Sequence, residues 1–465
     1  MNIPYLDWDS TIQRALSQID SDAAIWRTVG NSSIIFLRDW QGFLHLCIPC
    51  DRAAVEESLP LITAIQRCHE AFGQLSIAEG LELDVEALVN RLVIFDDETL
   101  DRSDLWESPD LIALTRHGIK VHLLERQDKE QDWLRSSIAR TENLDVRRAV
   151  FFGVKGGVGR STALIGLSHA LAKLGKKVLV VDCDFESPGV SSSLISPEAR
   201  PTYGIVDWFA AEGLGFGDDE KLFRIGAIAE MSPLSRGLDG SILVAPAFGE
   251  KSEAYISKLG RLYATTTKQD HAGAIFKTFA DRLSEVISKL EVAFSPDVVL
   301  IDSRAGIDDT SAVALTRLGA VAFMFGLNTR QTWDAYTMLF QHWQQHPSIG
   351  RTDDFREYLR FVSALTPDEA LYPGYLAEMQ STAYEVFVST LYDQLGDQSA
   401  ESDETEGFNF PFDAENAPHH LLVIRRDDAL LAFDPVKYPD HVQPVIFDKV
   451  FGDFVSEAVV LLSRE

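Results

Sequence analysis

The run Gly153-Val154-Lys155-Gly156-Gly157-Val158-Gly159-Arg160-Ser161-Thr162 restricts the fold of this chain more than any other stretch. It stands between an apolar segment, residues 149–154, that reads as a strand and a segment, residues 161–174, that reads as a helix. A strand that passes through glycines directly into a helix turns its backbone N–H groups inward, toward the positive end of the helix dipole. Such a loop is a ready cradle for an anion, above all phosphate. Ser161, in the first helical turn, then places its hydroxyl where a phosphate-bound Mg2+ would sit.

The surrounding pattern alternates strand and helix. Apolar strands are expected at 178–181, ending on Asp182, and at 298–301, ending on Asp302, with others at 320–325, 359–365 and 421–425. Ile275, Phe276, Phe279, Leu283, Val286, Ile287 and Leu290 mark one long amphipathic helix. Continuous apolar strands between helices predict an α/β fold, a mostly parallel sheet with helices on both faces. Residues 1–145 read as a smaller N-terminal α/β or α+β domain and residues 146–465 as the main one. In the smaller domain two strands flank a Trp40-Gln41-Gly42 turn. A helix spans 52–72, another 110–116, and a strand 119–124. An insertion at about 190–270 holds two helices with aromatic anchors, at 204–209 and 255–263, which either pack in the core or form a partner surface. Residues 397–407 are acidic and read as a surface loop.

Two acidic motifs follow the glycine run in order. Val181-Asp182-Cys183-Asp184-Phe185-Glu186-Ser187-Pro188-Gly189 comes off the second strand, at the edge of a parallel sheet where ligands bind. Val298-Val299-Leu300-Ile301-Asp302-Ser303-Arg304-Ala305-Gly306 is an apolar strand ending in Asp, the Walker B pattern that anchors a metal, often through water.

The glycine run is not the standard GxxxxGK[ST] loop, because the position five before Gly159 is Val154. It resembles the deviant P-loop, xKGGxGK[ST], of the ParA/MinD family of ATPases, and the resemblance extends over about residues 147–440. The resemblance implies a P-loop fold that binds ATP with Mg2+. Gly156, Gly157, Val158, Gly159, Arg160, Ser161 and Thr162 would hold the nucleotide; Ser161, Asp182 and Asp302 would hold the metal. It further implies that Lys155 reaches across a dimer interface to the partner's nucleotide and that Asp184 orients the attacking water.

The chain departs from the family at three places. Arg160 replaces the usual phosphate lysine, which identifies the chain with a KGGVGR variant subgroup. A guanidinium fork can pair with β- and γ-phosphate oxygens, so Arg160 joins Lys155 and Asp184 as a candidate catalytic group. Arg304 stands where the family commonly has proline, and it either senses a γ-phosphate, pairs with a carboxylate across a dimer, or is a solvated loop residue. Thr366-Pro367-Asp368 replaces an asparagine near the base. Residues 423–428, Asn328 and Arg330 are the other candidates for the adenine edge.

These readings predict an ATP-driven molecular switch with slow Mg2+-dependent hydrolysis, an ATP-dependent homodimer that controls a protein partner or the N-terminal domain. The alternative is a nucleotide-sensing interaction module with little or no turnover. The formal net charge of −29 argues against nucleic acid and anionic membrane as partners. Residues 450–465 have an apolar face, but acidic residues offset the basic ones that a membrane anchor would use. Four cysteines make no disulfide framework, and the chain shows neither a secretory leader nor an apolar run long enough to span a bilayer, so the expected location is the cytoplasm. Cys47, Cys50 and Cys68-His69 have the look of a zinc or redox site, but Cys47 sits in an apolar run that reads better as a buried strand.

Overall fold

The computed structural model describes residues 8–27, 33–39, 42–76, 84–95, 105–106, 111–114, 119–125, 131–134, 146–251, 255–263, 266–270, 273–344, 355–393, 408–431 and 433–463. Trp40 and Gln41 of the expected turn and the acidic stretch 397–407 lie outside these residues. The chain divides into two compact units, Met1–Gln131 and Asp132–Glu465.

The first unit is built on a five-stranded mixed sheet of β1 (Ile34–Arg38), β2 (Leu44–Ile48), β3 (Val93–Phe95), β4 (Ile112–Ala113) and β5 (Val121–Glu125), in the order β3-β2-β1-β5-β4. Cys47 is fully buried in β2. Two expectations need correction. The helix over 52–72 is two helices, Arg52–Glu56 and Leu59–Phe72. Pro60 cannot continue a helix from residues before it, and the Ser58 side chain caps the new start by accepting from the Leu61 N–H. The helix expected over 110–116 is, in its described part, the short strand β4, antiparallel to β5; pairing with a neighbour overrides the local signal.

The second unit carries β6 (Arg147–Gly153), β7 (Lys177–Asp182), β8 (Glu230–Met231), β9 (Ser241–Ala245), β10 (Thr266–Asp270), β11 (Gly273–Lys277), β12 (Val298–Ala305), β13 (Val321–Gly326), β14 (Leu359–Thr366) and β15 (Leu421–Arg425). Eight of them form one sheet in the order β15-β14-β13-β6-β12-β7-β9-β8, parallel except for the β8–β9 pair. Side chains alternate between its faces. Val150, Phe152, Leu179, Val181, Val299 and Ile301 point to one core. Ala149, Phe151, Val178, Val180, Val298 and Leu300 point to the other. Helices cover both, so the middle of each central strand is apolar at consecutive positions rather than at every second one.

β10 and β11 form a separate antiparallel hairpin. Ile275 and Phe276 belong to β11, not to the long helix, which begins at Phe279. Thr278 sets that boundary: its hydroxyl accepts from the Asp281 N–H, and the Asp281 carboxylate accepts from the Thr278 N–H at 2.9 Å. The C-terminal helix, Pro444–Ser463, turns Phe447, Val450, Phe451, Phe454, Ala458 and Leu462 into the core, which accounts for its apolar face. No described helix is long and apolar enough to cross a membrane.

Candidate functional site

β6 lies between β12 and β13 in the middle of the sheet, while β7 lies beyond β12. The C-terminal ends of β6, β12 and β7 therefore stand side by side, and all three sequence motifs leave the sheet there. Residues 153–159 make the turn from β6 into the Arg160–Lys173 helix. Gly159 is the N-cap of that helix with φ 81°, a left-handed conformation that a side chain would strain. Gly156 and Gly157 are exposed, as a loop that receives a ligand through its backbone must be.

Asp302 of β12 and Asp182 of β7 are register partners on adjacent strands, and both are buried. Ser161 donates its hydroxyl to Asp302 Oδ2 at 2.7 Å, which ties the first helical turn to the end of β12. Asp182 Oδ2 accepts from the Ser191 hydroxyl at 2.7 Å. Arg160 donates through Nη1 to the Ser303 carbonyl at 2.7 Å, and its Nη2 lies 3.9 Å from Asp184 Oδ2. Burial pushes Asp182 up to about 7, helped by the nearby charge of Asp302. Burial likewise pushes Asp302 up to about 6, against the pull of the Arg160 guanidinium. Asp184 is raised by burial and held down in part by Arg160.

The structure thus brings together Gly156–Gly159, Arg160, Ser161, Thr162, Asp182, Asp184 and Asp302. Lys155 is half-buried at the start of the loop and makes no side-chain hydrogen bond or ion pair among the described residues. Arg304 is partly exposed, and its guanidinium lies 3.3 Å from Glu186 and 3.9 Å from Asp308 of its own chain. Asn328 accepts from the Trp333 indole at 2.8 Å, and Arg330 is exposed and paired with Asp334. Arg425 pairs with Asp453, and Arg426 with Asp428.

Two tyrosines of the 255–263 segment were not among the expected site residues, yet they hold the acidic loops. Tyr255 donates to the Phe185 carbonyl at 2.6 Å. Tyr263 bonds Glu186 and lies 3.0 Å from the Thr310 hydroxyl. Their aromatic character was legible; that their hydroxyls reach the loop after β7, 70 and 77 residues away in sequence, was not. Leu365 was also missed. It takes φ 47° at a register slip between β14 and β15, and a Cβ on Gly159 would lie 3.6 Å from its side chain. Backbone strain of that kind leaves no trace in composition.

Residues 149–360 match the family model for the CobQ/CobB/MinD/ParA nucleotide binding domain. They form a ParA/MinD-type P-loop domain. The chromosome-partitioning ATPase Soj of Thermus thermophilus is 41% identical over 69 residues, 15% of this chain and 27% of that one. The light-independent protochlorophyllide reductase iron-sulfur ATP-binding protein of Jannaschia sp. is 33% identical over 105 residues, 22% of this chain and 33% of that one. The chain therefore spans only about a quarter to a third of these relatives' lengths. Among solved structures, pNOB8 ParA bound to nonspecific DNA has a TM-score of 0.42 and 16% identity, covering 68% of this chain and 97% of that one. Net charge describes a whole chain, whereas DNA binding needs only a local cationic surface, so the charge of −29 does not by itself exclude nucleic acid.

The ParA/MinD-type domain implies a magnesium ion, and the residues present fit one. Asp182, Asp184 and Asp302 each keep a buried Oδ1 without a hydrogen-bond partner in the structure. No three His, Cys, Asp or Glu side chains among the described residues converge as a cage for an ion. That combination suits magnesium, which keeps several waters and takes few ligands from protein. Ser161 would contact it, with Asp302 and Asp182 acting through water.

Proposed function

We propose that this protein is an ATP-driven molecular switch that binds ATP with Mg2+, hydrolyses it slowly and dimerises in the ATP-bound state. The observation that carries this reading is the 2.7 Å bond between Ser161 Oγ and Asp302 Oδ2 directly beneath a glycine loop at a helix N-terminus. A hydroxyl and a buried carboxylate on that spot would hold a magnesium ion, the hydroxyl directly and the carboxylate through water, and the loop N–H groups would supply the phosphate cradle. Magnesium bound there would neutralise charge on the phosphate tail. Asp184, whose buried Oδ1 has no hydrogen-bond partner among the described residues, orients the attacking water in this reading. Lys155 is the remaining cation of the loop and serves the nucleotide of a second copy.

One observation favours the alternative, a nucleotide sensor with little turnover: the Arg160 guanidinium is already engaged by Ser303 and Asp184. Titration calorimetry with ATP in the presence of Mg2+, repeated in EDTA, tests the shared premise. Binding that depends on the metal is expected. Absence of any heat of binding with Mg2+ would remove both versions.

A further inference from the structure

A P-loop lysine is a point charge that points at phosphate; the residue in its place here points elsewhere. Arg160 is buried, and its guanidinium is directed at Ser303 and Asp184. Gly153 makes the path: a Cβ at that position would stand 3.1 Å from Arg160 Cδ, tighter than ordinary contact. The guanidinium then reaches the far side of the site. There the β12–β6 ladder slips between Asp302 and Ala305. The Ser303 carbonyl lies within that slip and accepts from Arg160 Nη1 at 2.7 Å. The other terminal nitrogen, Nη2, faces Asp184 at 3.9 Å.

We propose that Arg160 is a positioning residue, which braces the Asp302–Ala305 bulge against the Asp184 loop through the two arms of its guanidinium, and is not a phosphate ligand. This rests on the reading of the site as a nucleotide site. The physical case is the shape of the group. A carbonyl on one loop and a carboxylate on another are met together by a group that holds two nitrogens in one plane, one hydrogen-bonded and one ion-paired, which arginine has and lysine lacks. A buried carbonyl freed by a bulge also needs a donor, and leaving it without one costs about 1–3 kcal/mol. The replacement of lysine by arginine therefore couples the two acidic loops to each other and to the first helical turn. Phosphate charge within one protomer then falls to the loop N–H groups, and Lys155 serves the second copy.

The test separates affinity from the chemical step. Mg2+–ATP affinity and single-turnover hydrolysis would be measured for wild type, Arg160→Lys and Arg160→Ala. Affinity within about threefold of wild type, with hydrolysis slowed about tenfold or more in both variants, is the expected result. A phosphate ligand gives the reverse: Arg160→Lys keeps both quantities, and Arg160→Ala loses affinity about tenfold or more. Hydrogen exchange on the ligand-free protein gives a readout that needs no turnover. Arg160→Lys should speed exchange at residues 183–188 and 303–308 and leave residues 165–172 unchanged. Unchanged exchange in both acidic loops would overturn the brace. A wild type that binds no ATP would sink the proposed function alone, because exchange in the ligand-free protein still decides the role of Arg160.

Discussion

Asp182 and Asp302 sit side by side on adjacent strands, and the only cation that offsets their burial among the described residues is the Arg160 guanidinium, on the Asp302 side. Asp302 has Ser161 and Asp182 has Ser191 as donors, and each keeps one oxygen without a partner. Burying such groups costs stability, which is the usual trade at a functional site. The consequence for pH has a definite sign. Asp182 holds its proton in the folded chain up to about 7, whereas 3.8 is its ordinary value. The folded state therefore binds more protons than the unfolded state between these values. The contribution of Asp182 to the stability of the ligand-free protein is fully present below that window, falls as pH rises through it, and levels off above about 7. Asp182→Asn should flatten this slope and raise the melting temperature at pH 8, by about 2–4 °C for each kcal/mol recovered. A melting temperature at pH 8 equal to or below that of wild type would contradict the claim. Residue identity and order made these carboxylates visible as candidates; their pairing across two strands needed the register.

At the scale of elements, the sheet places three loop ends together and the 255–263 segment stitches two of them. The Tyr263 hydroxyl bonds Glu186 on one loop and approaches Thr310 after the other, while its ring packs on Phe279 at 5.0 Å. Arg304 adds its pair with Glu186. Tyr263→Phe keeps the ring and deletes the hydroxyl. It should cost about 1 kcal/mol, and exchange of amides 184–188 should rise about fivefold. Unaltered exchange there, measured by mass spectrometry on the ligand-free protein, would show that the segment packs without controlling the loop. The helix boundaries tell a similar story about reading a sequence. Apolar spacing merged Ile275 and Phe276 with the helix that follows them, because a strand leading into a capped helix can continue its periodicity by chance. The Thr278–Asp281 capping box was the signal that divides the two.

At the scale of the molecule, the open question is association. Lys155 is the loop cation that Arg160 does not duplicate, since Arg160 is turned inward. A two-fold dimer would set each Lys155 against the other protomer's phosphates and exclude water, which strengthens the contact. The net charge of −29 opposes that approach, so dimerisation should strengthen with salt as well as with nucleotide. Light scattering with a slowly hydrolysed ATP analogue should show a dimer for wild type and a monomer for Lys155→Ala, with ATP affinity retained in the variant. Wild type that stays monomeric with the analogue, or a variant that dimerises equally well, would dismiss the trans role of Lys155.

The strand–glycine–helix run and the two apolar strands that end in Asp were enough to determine the α/β class and the P-loop, and to single out the residues that the sheet gathers at one edge. These features are local: each is written in consecutive residues, and burial on both faces of a parallel sheet forces the apolar runs that reveal it. What the chain order could not supply was who faces whom. The direction of Arg160 depends on the space left at Gly153 and on a bulge in β12, two features about 150 residues apart in sequence. The pairing of Arg304 with Glu186, and the grip of Tyr255 and Tyr263 on the acidic loop, join segments that only the folded sheet brings together. A side chain's type sets which contacts it can make, but tertiary packing chooses among them, because burial leaves a polar group no option except the partner that geometry provides.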